Sequence, residues 1–322
     1  IAHSAFEPLG SRVRLNAWRG GTYFLRMYHR TFSPKPPPKY AGRHRKVALL
    51  FFETVMDIYW LAYPLLGCVV GFLAGLLGIG GGLLSVPILA MIFQAQGLAH
   101  PESHKIALAS STCAIAVTAF SSMRSHAKHN NVHWHVVKRL LPGILLGTLM
   151  GAQLVRTLPV LPLQVIFVAF TFYTAYSMLA KKLPKPSRTL PATPAMLGVG
   201  GGIGLFSTLI SAGGGFISVP FMLWCNISAR LAIGTSAALG FPIAVGGAIG
   251  YLMSSFNQKG LPAHTIAYIY WPAVLGIVAT SAFFAPIGAR MAQRWDVVTL
   301  KKIFAMLLIV LGTHMLFKMT AG

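Results

Sequence analysis

Seven apolar runs in this chain are long enough to cross a lipid bilayer, and they constrain its fold more than any other feature. A helix needs about 20 predominantly apolar residues to span a hydrocarbon core about 30 Å thick. The long runs are 58–77, 104–123, 136–155, 160–180, 230–254, 265–287 and 300–318, and three shorter runs are 83–95, 195–212 and 216–226. The sequence therefore predicts an all-α polytopic membrane protein.

Ionised residues are too scarce for a soluble protein of 322 residues. Charged residues make up 10% of the chain, whereas ordinary soluble domains contain about 25%. The net charge of +22 comes from Lys and Arg residues, of which ten of the 27 lie in residues 1–55 and most others lie between apolar runs. This distribution is typical of loops that orient membrane helices, and it argues against nucleic acid as a partner.

A duplicated glycine motif divides the chain into two halves. The motif GGGxxSVP occurs at 80–87 and again at 213–220, which is 133 residues later. A second pair of matching segments follows, Ala107–Ser111 in the first half and Ala232–Ser236 in the second. Each half also contains five apolar runs in the same order, which indicates an internal repeat.

The two repeats are expected to enter the membrane in opposite orientations, because each has an odd number of segments. Cytoplasmic loops carry an excess of Lys and Arg, so we expect 124–139, 181–188 and 288–302 to face the cytoplasm. The loop 124–139 follows the third segment of the first half, whereas the loop 288–302 follows the fourth segment of the second half. The excess of positive charge therefore falls on opposite ends of the equivalent segments. The sequence therefore predicts inverted transmembrane repeats over 56–190 and 191–322.

Residues 1–55 are predicted to lie outside both repeats. The stretch is rich in Arg, poor in acids and interrupted by prolines, among them Pro34 and Pro36–Pro38. It lacks the continuous apolar core of a secretory signal, and its composition resembles that of an organellar transit peptide. A disordered extension, a start site placed too far upstream and a functional basic arm stay open as interpretations.

The triple-glycine stretches are the candidate binding site. Gly costs a helix up to about 1 kcal/mol per residue, so three in a row within an apolar run predict a broken or re-entrant helix. Broken backbone at membrane depth must be buried in protein or line a wet cavity. We expect Ser85 and Ser218 to be the N-caps of the helices that follow, with Pro87 and Pro220 in the first turns. A helix N-terminus offers free N–H groups and partial positive charge, which favour an anion.

The predicted substrate-binding residues combine this backbone with neutral hydroxyl groups. After Asp57 no Asp or Glu lies inside an apolar run, which argues against a cation pump. Hydroxyl groups donate to an oxyanion without adding charge. The predicted residues are Gly80, Gly81, Gly82, Ser85, Ser111, Gly213, Gly214, Gly215, Ser218, Thr235 and Ser236.

Several of these features have structural interpretations as well. The spacing Gly71-x-x-x-Gly75 and the Gly-rich run 198–204 are typical of small-residue interfaces between membrane helices. Lys105 and Arg230, at the edges of apolar runs, are interpreted as anchors whose charged ends reach the membrane surface, with attraction of an anion as the alternative.

No catalytic residue, metal ion or cofactor is predicted. The chain has no GxSxG, HExxH or paired-Asp motif of the kind that a membrane-embedded enzyme needs. Four histidines, His126, His129, His133 and His135, are expected to lie in one solvated loop, because the acids or thiols that usually complete a metal site are missing there.

The duplicated glycine motif and the Ala-x-Gly-Thr-Ser segment at Ala232–Ser236 resemble the TauE/SafE sulfite exporter family of membrane permeases. The resemblance covers about residues 57–319. It implies a multi-pass protein of the plasma (inner) membrane that moves sulfite, sulfoacetate, thiosulfate or a related organosulfur anion. We therefore expect a secondary transporter that exports such an anion through a central site between the repeats.

Other functions stay open at this point. An importer or a channel-like facilitator for another small anion is the alternative within transport. A structural subunit without transport activity would not need paired glycine breaks. The expected partners are the small anion and membrane lipid, and association into a homo-oligomer stays open.

Overall fold

The computed structural model describes residues 60–78, 80–98, 100–180, 189–258, 260–292 and 297–321. Within these ranges the chain forms ten helices and one short β-hairpin. The predicted extension at 1–55 and the predicted cytoplasmic loop at 181–188 lie outside the described residues.

Each half of the described chain contains five helices, and the second helix is the shortest in both halves. The first half contains α1 (Trp60–Leu77), α2 (Gly82–Ala95), α3 (Ser103–Lys128), α4 (Trp134–Thr157) and α5 (Val160–Leu179). The second half contains α6 (Thr193–Leu209), α7 (Gly215–Trp224), α8 (Ala229–Ser255), α9 (Trp271–Met291) and α10 (Val297–Ala321). The hairpin of β1 (Thr265–Ile266) and β2 (Ile269–Tyr270) precedes α9.

The number and positions of the long helices confirm the prediction of a polytopic membrane protein. Seven helices are long and apolar enough to span a bilayer, and they coincide with the seven long runs. The shorter helices α2, α6 and α7 coincide with the three shorter runs. The run 265–287 is not helical throughout, because Ala267 and Tyr268 adopt left-handed backbone with φ of 52° and 65° and turn the chain into the hairpin.

Glycines on one face of α1 bring this helix directly against α9. A Cβ added at Gly71 would lie 2.6 Å from the Cα of Ser281, so the two backbones touch. The same face makes three such contacts, pairing Gly67 with Ile277, Gly71 with Ser281 and Gly75 with Ala285. Because the residue numbers rise together, α1 and α9 run parallel. The small-residue interface predicted at Gly71 and Gly75 is confirmed.

A second parallel pair, α4 and α6, packs in the same way. A Cβ added at Gly151 would lie 2.8 Å from the carbonyl oxygen of Leu205. Glycines of α4 contact α6 at three successive turns, Gly143 at Leu197, Gly147 at Gly201 and Gly151 at Leu205. The run 198–204 therefore contributes to a helix interface, as its composition predicts. In each half, the first helix packs on the fourth helix of the other half.

The two most buried membrane-spanning helices, α3 and α8, lie against each other in opposite directions. Ala119 and Thr112 of α3 lie against Gly240 and Gly247, and Asn131, just after α3, lies against Gly234. Residue numbers therefore rise on one side as they fall on the other. Within one apolar 18-residue window of each long helix, the share of buried residues is 67% for α3 and 72% for α8, higher than for the other five. These helices form the centre of the described chain, and the short helices α2 and α7 pack against them.

Candidate functional site

Both glycine motifs break the helical backbone, as predicted. Gly81 and Gly214 precede α2 and α7 and have left-handed backbone, with φ of 72° and 76°. Gly78 and its sequence equivalent Ser211 are also left-handed, with φ of 66° and 51°. Glycine adopts this region at little steric cost, so the chain ends one helix and begins another within a few residues.

The predicted N-caps are wrong, because the short helices begin before Ser85 and Ser218. Each serine is the fourth residue of its helix, and the N-cap positions are taken by Gly81 and Gly214 without a side-chain capping bond. The Ser85 N–H donates to the Gly81 carbonyl at 3.2 Å as part of the helix. A left-handed glycine, rather than a serine side chain, sets the direction of the new helix. The two motif prolines consequently lie inside α2 and α7 instead of in their first turns.

The two breaks meet backbone to backbone. A Cβ added at Gly80 would lie 2.5 Å from both the Cα and the amide nitrogen of Gly213. A Cβ added at Gly82 would collide with the carbonyl oxygen of Ser211. We call this contact between Gly80–Gly82 and Ser211–Gly215 the glycine junction. It brings six of the predicted binding residues together at the centre of the molecule, and all six are buried.

Four of the predicted serines form two hydroxyl pairs next to the glycine junction. Ser85 on α2 bonds to Ser111 on α3, and Ser218 on α7 donates to Ser236 on α8 at 3.0 Å. The Ser236 hydroxyl donates in turn to the Gly78 carbonyl at 3.0 Å, so it links α8 to the break in the other half. All four side chains are buried. These hydroxyls are therefore within reach of the junction and are oriented by one another.

Thr235 is not brought together with the other predicted residues. Its hydroxyl oxygen accepts the backbone N–H of His133, the N-cap residue of α4, at 2.8 Å. Its sequence equivalent Ser110 accepts the N–H of Tyr270, the N-cap residue of α9, at 2.8 Å. Each half therefore supplies a hydroxyl that satisfies the start of the fourth helix in the other half, which is a structural role for both residues.

The expectation of one solvated histidine loop is wrong for His126. Because α3 extends to Lys128, His126 lies in its last turn and is buried, with its Nε2 atom 3.2 Å from the Gly75 carbonyl oxygen. His129 and His135 are exposed. No group of three or more potential metal ligands of the His, Cys, Asp and Glu types occurs among the described residues.

Lys105 is not a membrane-edge anchor. Its side chain is 5% exposed, and its Nζ atom lies 3.3 Å from the Glu102 carboxylate and 3.2 Å from the Arg156 carbonyl oxygen. The same atom lies 5.8 Å from the centre of the Tyr268 ring. Burial and the neighbouring Glu102 raise the pKa of Tyr268, so its phenol stays neutral beneath the ammonium group. Arg230, the equivalent residue of the second half, is exposed.

Two cavities lie at opposite ends of α3, a helix about 39 Å long. The first, with a volume of about 480 Å³, is called the histidine cavity. It is lined by Pro87, Ala90, Met91, Gln94, Leu98, His100, Pro101, Ser103, His104, Gln164, His314, Met315, Lys318 and Met319. The polar residues come from α2, the start of α3 and the segment before it, α5 and α10, so nothing in the local sequence indicates that they share a cavity.

The second cavity, of about 370 Å³, is called the basic cavity. It is lined by Ser121, Arg124, Ser125, Lys128, His129, Pro286 and Arg290, which lie near the C-terminal ends of α3 and α9. Three of these side chains carry a permanent positive charge. No residue of the glycine junction lines either cavity, so in this conformation the junction lies closed between them.

Comparison with known proteins identifies the family of this chain. A model of the family described as Sulfite exporter TauE/SafE matches residues 63–315. The chain belongs to the TauE/SafE family. The match begins in α1 and ends in α10, so it includes both glycine motifs. The family resemblance indicated by those motifs is confirmed.

Related proteins agree with this TauE/SafE membership. A probable membrane transporter protein of Haemophilus influenzae is 35% identical over 264 residues, which is 82% of this chain and 100% of that protein. Probable membrane transporter proteins of Methanocaldococcus jannaschii and Bacillus subtilis are 27% and 24% identical and cover 80% and 77% of the chain, and 97% and 96% of their own lengths. No solved structure gives a significant match. This TauE/SafE protein is therefore a multi-pass membrane transporter of the plasma membrane.

Proposed function

We propose that the protein is a secondary transporter that exports a small anion, with sulfite or a related organosulfur anion as substrate. The observation that carries this proposal is the glycine junction, where two broken helices from different halves of the chain meet. The two halves would be inverted repeats, with the substrate bound between them. The parallel contacts of α1 with α9 and of α4 with α6, and the antiparallel contact of α3 with α8, support this relation.

The junction has the chemistry of an anion site. The first N–H groups of α2 and α7 have no acceptor within their own helices. Each helix N-terminus also carries about half of an elementary positive charge. The hydroxyls of Ser85, Ser111, Ser218 and Ser236 lie beside these termini. They now bond to one another and to the Gly78 carbonyl, and they would become neutral donors to an anion once the junction opens. The residues named for the site include no carboxylate, so an anion meets no repulsion from a fixed negative charge.

Transport requires the junction to open, because its backbones now touch. The basic and histidine cavities give an anion a place at either end of α3. The basic cavity contains part of the loop 124–139, which the sequence assigns to the cytoplasm. Its positive charges would concentrate the anion on that side. A potential of 100 mV then favours exit of one negative charge by about 2.3 kcal/mol.

Substitution of Gly214 tests the site. Valine at this position would adopt an unfavourable φ of +76°, and its Cβ would lie 2.5 Å from the Ile243 Cδ1 atom. We expect Gly214→Val to lower the efflux of radiolabelled sulfite from proteoliposomes at least tenfold. Gly202→Val is the matched control, because nothing lies within 4 Å of a Cβ added there.

Both variants should elute from size exclusion as the original protein does, which separates loss of transport from loss of folding. If Gly214→Val is correctly folded and exports sulfite at the original rate, the junction is not the transport site. If the original protein moves no sulfite but moves another small anion, only the choice of substrate is wrong.

A further inference from the structure

The histidine cavity contains a buried imidazole that no group of the described residues satisfies. His104 is 3% exposed, and neither of its ring nitrogens has a hydrogen-bond partner among the described residues. Its ring contacts Phe167 edge-on, with 5.6 Å between the ring centres. That contact explains how the ring packs, but it leaves both nitrogens without a partner. Buried polar groups in folded proteins are nearly always hydrogen-bonded, so an unsatisfied one needs an explanation.

A second histidine repeats this pattern from the other half of the chain. His314 on α10 lines the same cavity, and its buried Nδ1 atom also has no partner among the described residues. His100, the third histidine of the cavity, is already occupied: its Nε2 atom lies 3.0 Å from the Gly260 carbonyl oxygen, and its Nδ1 atom accepts the Glu102 N–H at 3.1 Å. Two imidazoles on different helices therefore line one cavity with nitrogens that no described residue uses. These nitrogens are covered in this conformation, so a ligand in the cavity would meet them after a rotation of the rings.

The remaining wall determines which ligand fits. Lys318 brings a positive charge, Gln94 and Gln164 bring amide donors, and the described residues that line the cavity include no carboxylate. The other wall residues are mostly apolar, including three methionines: Met91, Met315 and Met319. A volume of about 480 Å³ falls in the range of about 300–1,000 Å³ that is usual for small-molecule sites. Polar donors on one part of an apolar wall suit a ligand with a charged head and a short carbon skeleton.

We propose that the histidine cavity binds a small organic anion, with its charged head on His104, His314 and Lys318 and its carbon skeleton against the methionines. The proposal deepens the proposed function and rests on it only for the sulfonate chosen as the probe. The site is formed by both halves of the chain and is separate from the glycine junction. An anion bound there would occupy the end of α3 opposite the basic cavity.

Calorimetry of ethanesulfonate binding tests this proposal. The sample is the full-length protein in nanodiscs of neutral phosphatidylcholine. We expect His104→Leu and His314→Leu to weaken binding at least tenfold, because each removes a donor to the anion. Lys318→Gln, at an exposed position, should weaken binding several-fold without a risk to folding. His135→Leu is the matched control, because His135 is exposed and lines neither cavity. Ethyl methyl sulfone, which has no charge, should not bind.

A second variant keeps the test informative if the histidine variants fold poorly. Ala90→Phe fills the cavity without removing a polar group and should also abolish binding. Gly214→Val should bind ethanesulfonate as the original protein does, because Gly214 does not line the cavity. If Gly214→Val transports sulfite normally while the cavity variants lose binding, only the proposed transport site fails.

Three results would overturn the cavity proposal. The first is an original protein that does not bind ethanesulfonate. The second is undiminished binding in Lys318→Gln together with Ala90→Phe. The third is complete loss of binding when anionic phosphatidylglycerol replaces part of the neutral lipid, which would assign the cavity to a lipid headgroup.

Discussion

Lys105 shows how a residue can be recognised in the sequence and still be assigned the wrong role. A basic residue at the edge of an apolar run is usually a snorkelling anchor. Here the ammonium group is held by Glu102, the Arg156 carbonyl and the Tyr268 ring. Two of these partners belong to distant segments, so nothing in the local sequence around Lys105 indicates them. The triple glycines are the opposite case, because their backbone preference is a property of the residue itself.

Removal of the Lys105 side chain should destabilise the protein. Lys105→Ala leaves the Glu102 carboxylate without its partner, and we expect a loss of about 2 kcal/mol. The figure is below that of a fully buried pair because the Glu102 side chain is 23% exposed. Arg230→Ala at the exposed equivalent position is the control and should have little effect. Thermal unfolding of both variants in one detergent gives the comparison, and equal melting temperatures would contradict the assigned contact.

At the scale of whole elements, the sequence predicts which helices exist better than it predicts how they pair. Length and hydropathy depend on each segment alone, which is why seven spans and three short helices are found where expected. The pairing of α4 with α6 depends on which small-residue faces meet. Gly-x-x-x-Gly spacing identifies such a face on one helix but does not identify the helix that packs against it. The start of α9 likewise depends on the hairpin before it, which hydropathy does not detect.

Two glycines in the interface of α4 and α6 should respond differently to the same substitution. A Cβ added at Gly147 would collide with the Gly201 carbonyl oxygen, whereas the nearest atom to a Cβ added at Gly201 is 3.8 Å away. Gly147→Ala should therefore cost about 1–3 kcal/mol by overpacking. Gly201→Ala should be neutral or slightly stabilising, because alanine favours a helix by up to about 1 kcal/mol over glycine. Thermal unfolding measures both, and a neutral Gly147→Ala would show that the helices separate easily.

At the scale of the whole molecule, the repeated sequence motifs correspond to repeated contacts. Ser110 and Thr235 each accept the N–H at the start of the fourth helix in the other half. Gly81 and Gly214 each begin a short helix. The motif spacing predicts equivalent positions in the two halves. It does not predict that the two breaks touch, because that contact joins residues about 130 positions apart. Each half is therefore incomplete without the other.

The proposed inverted relation of the two halves makes a prediction that does not depend on the substrate. The antiparallel contact of α3 with α8 places Asn130, after α3, and Asn257, after α8, at opposite ends of the helix pair, and both residues are exposed. In a variant with Cys68, Cys113 and Cys225 replaced by Ala, we expect Asn130→Cys to react with an impermeant maleimide in inside-out membrane vesicles. Asn257→Cys should react in right-side-out vesicles instead. The basic loop after α3 sets the expected side. Labelling of both cysteines from one side would contradict the inverted arrangement. Labelling of each cysteine from the side opposite to the expected one would reverse the orientation of the protein. The basic cavity would then not face the cytoplasm.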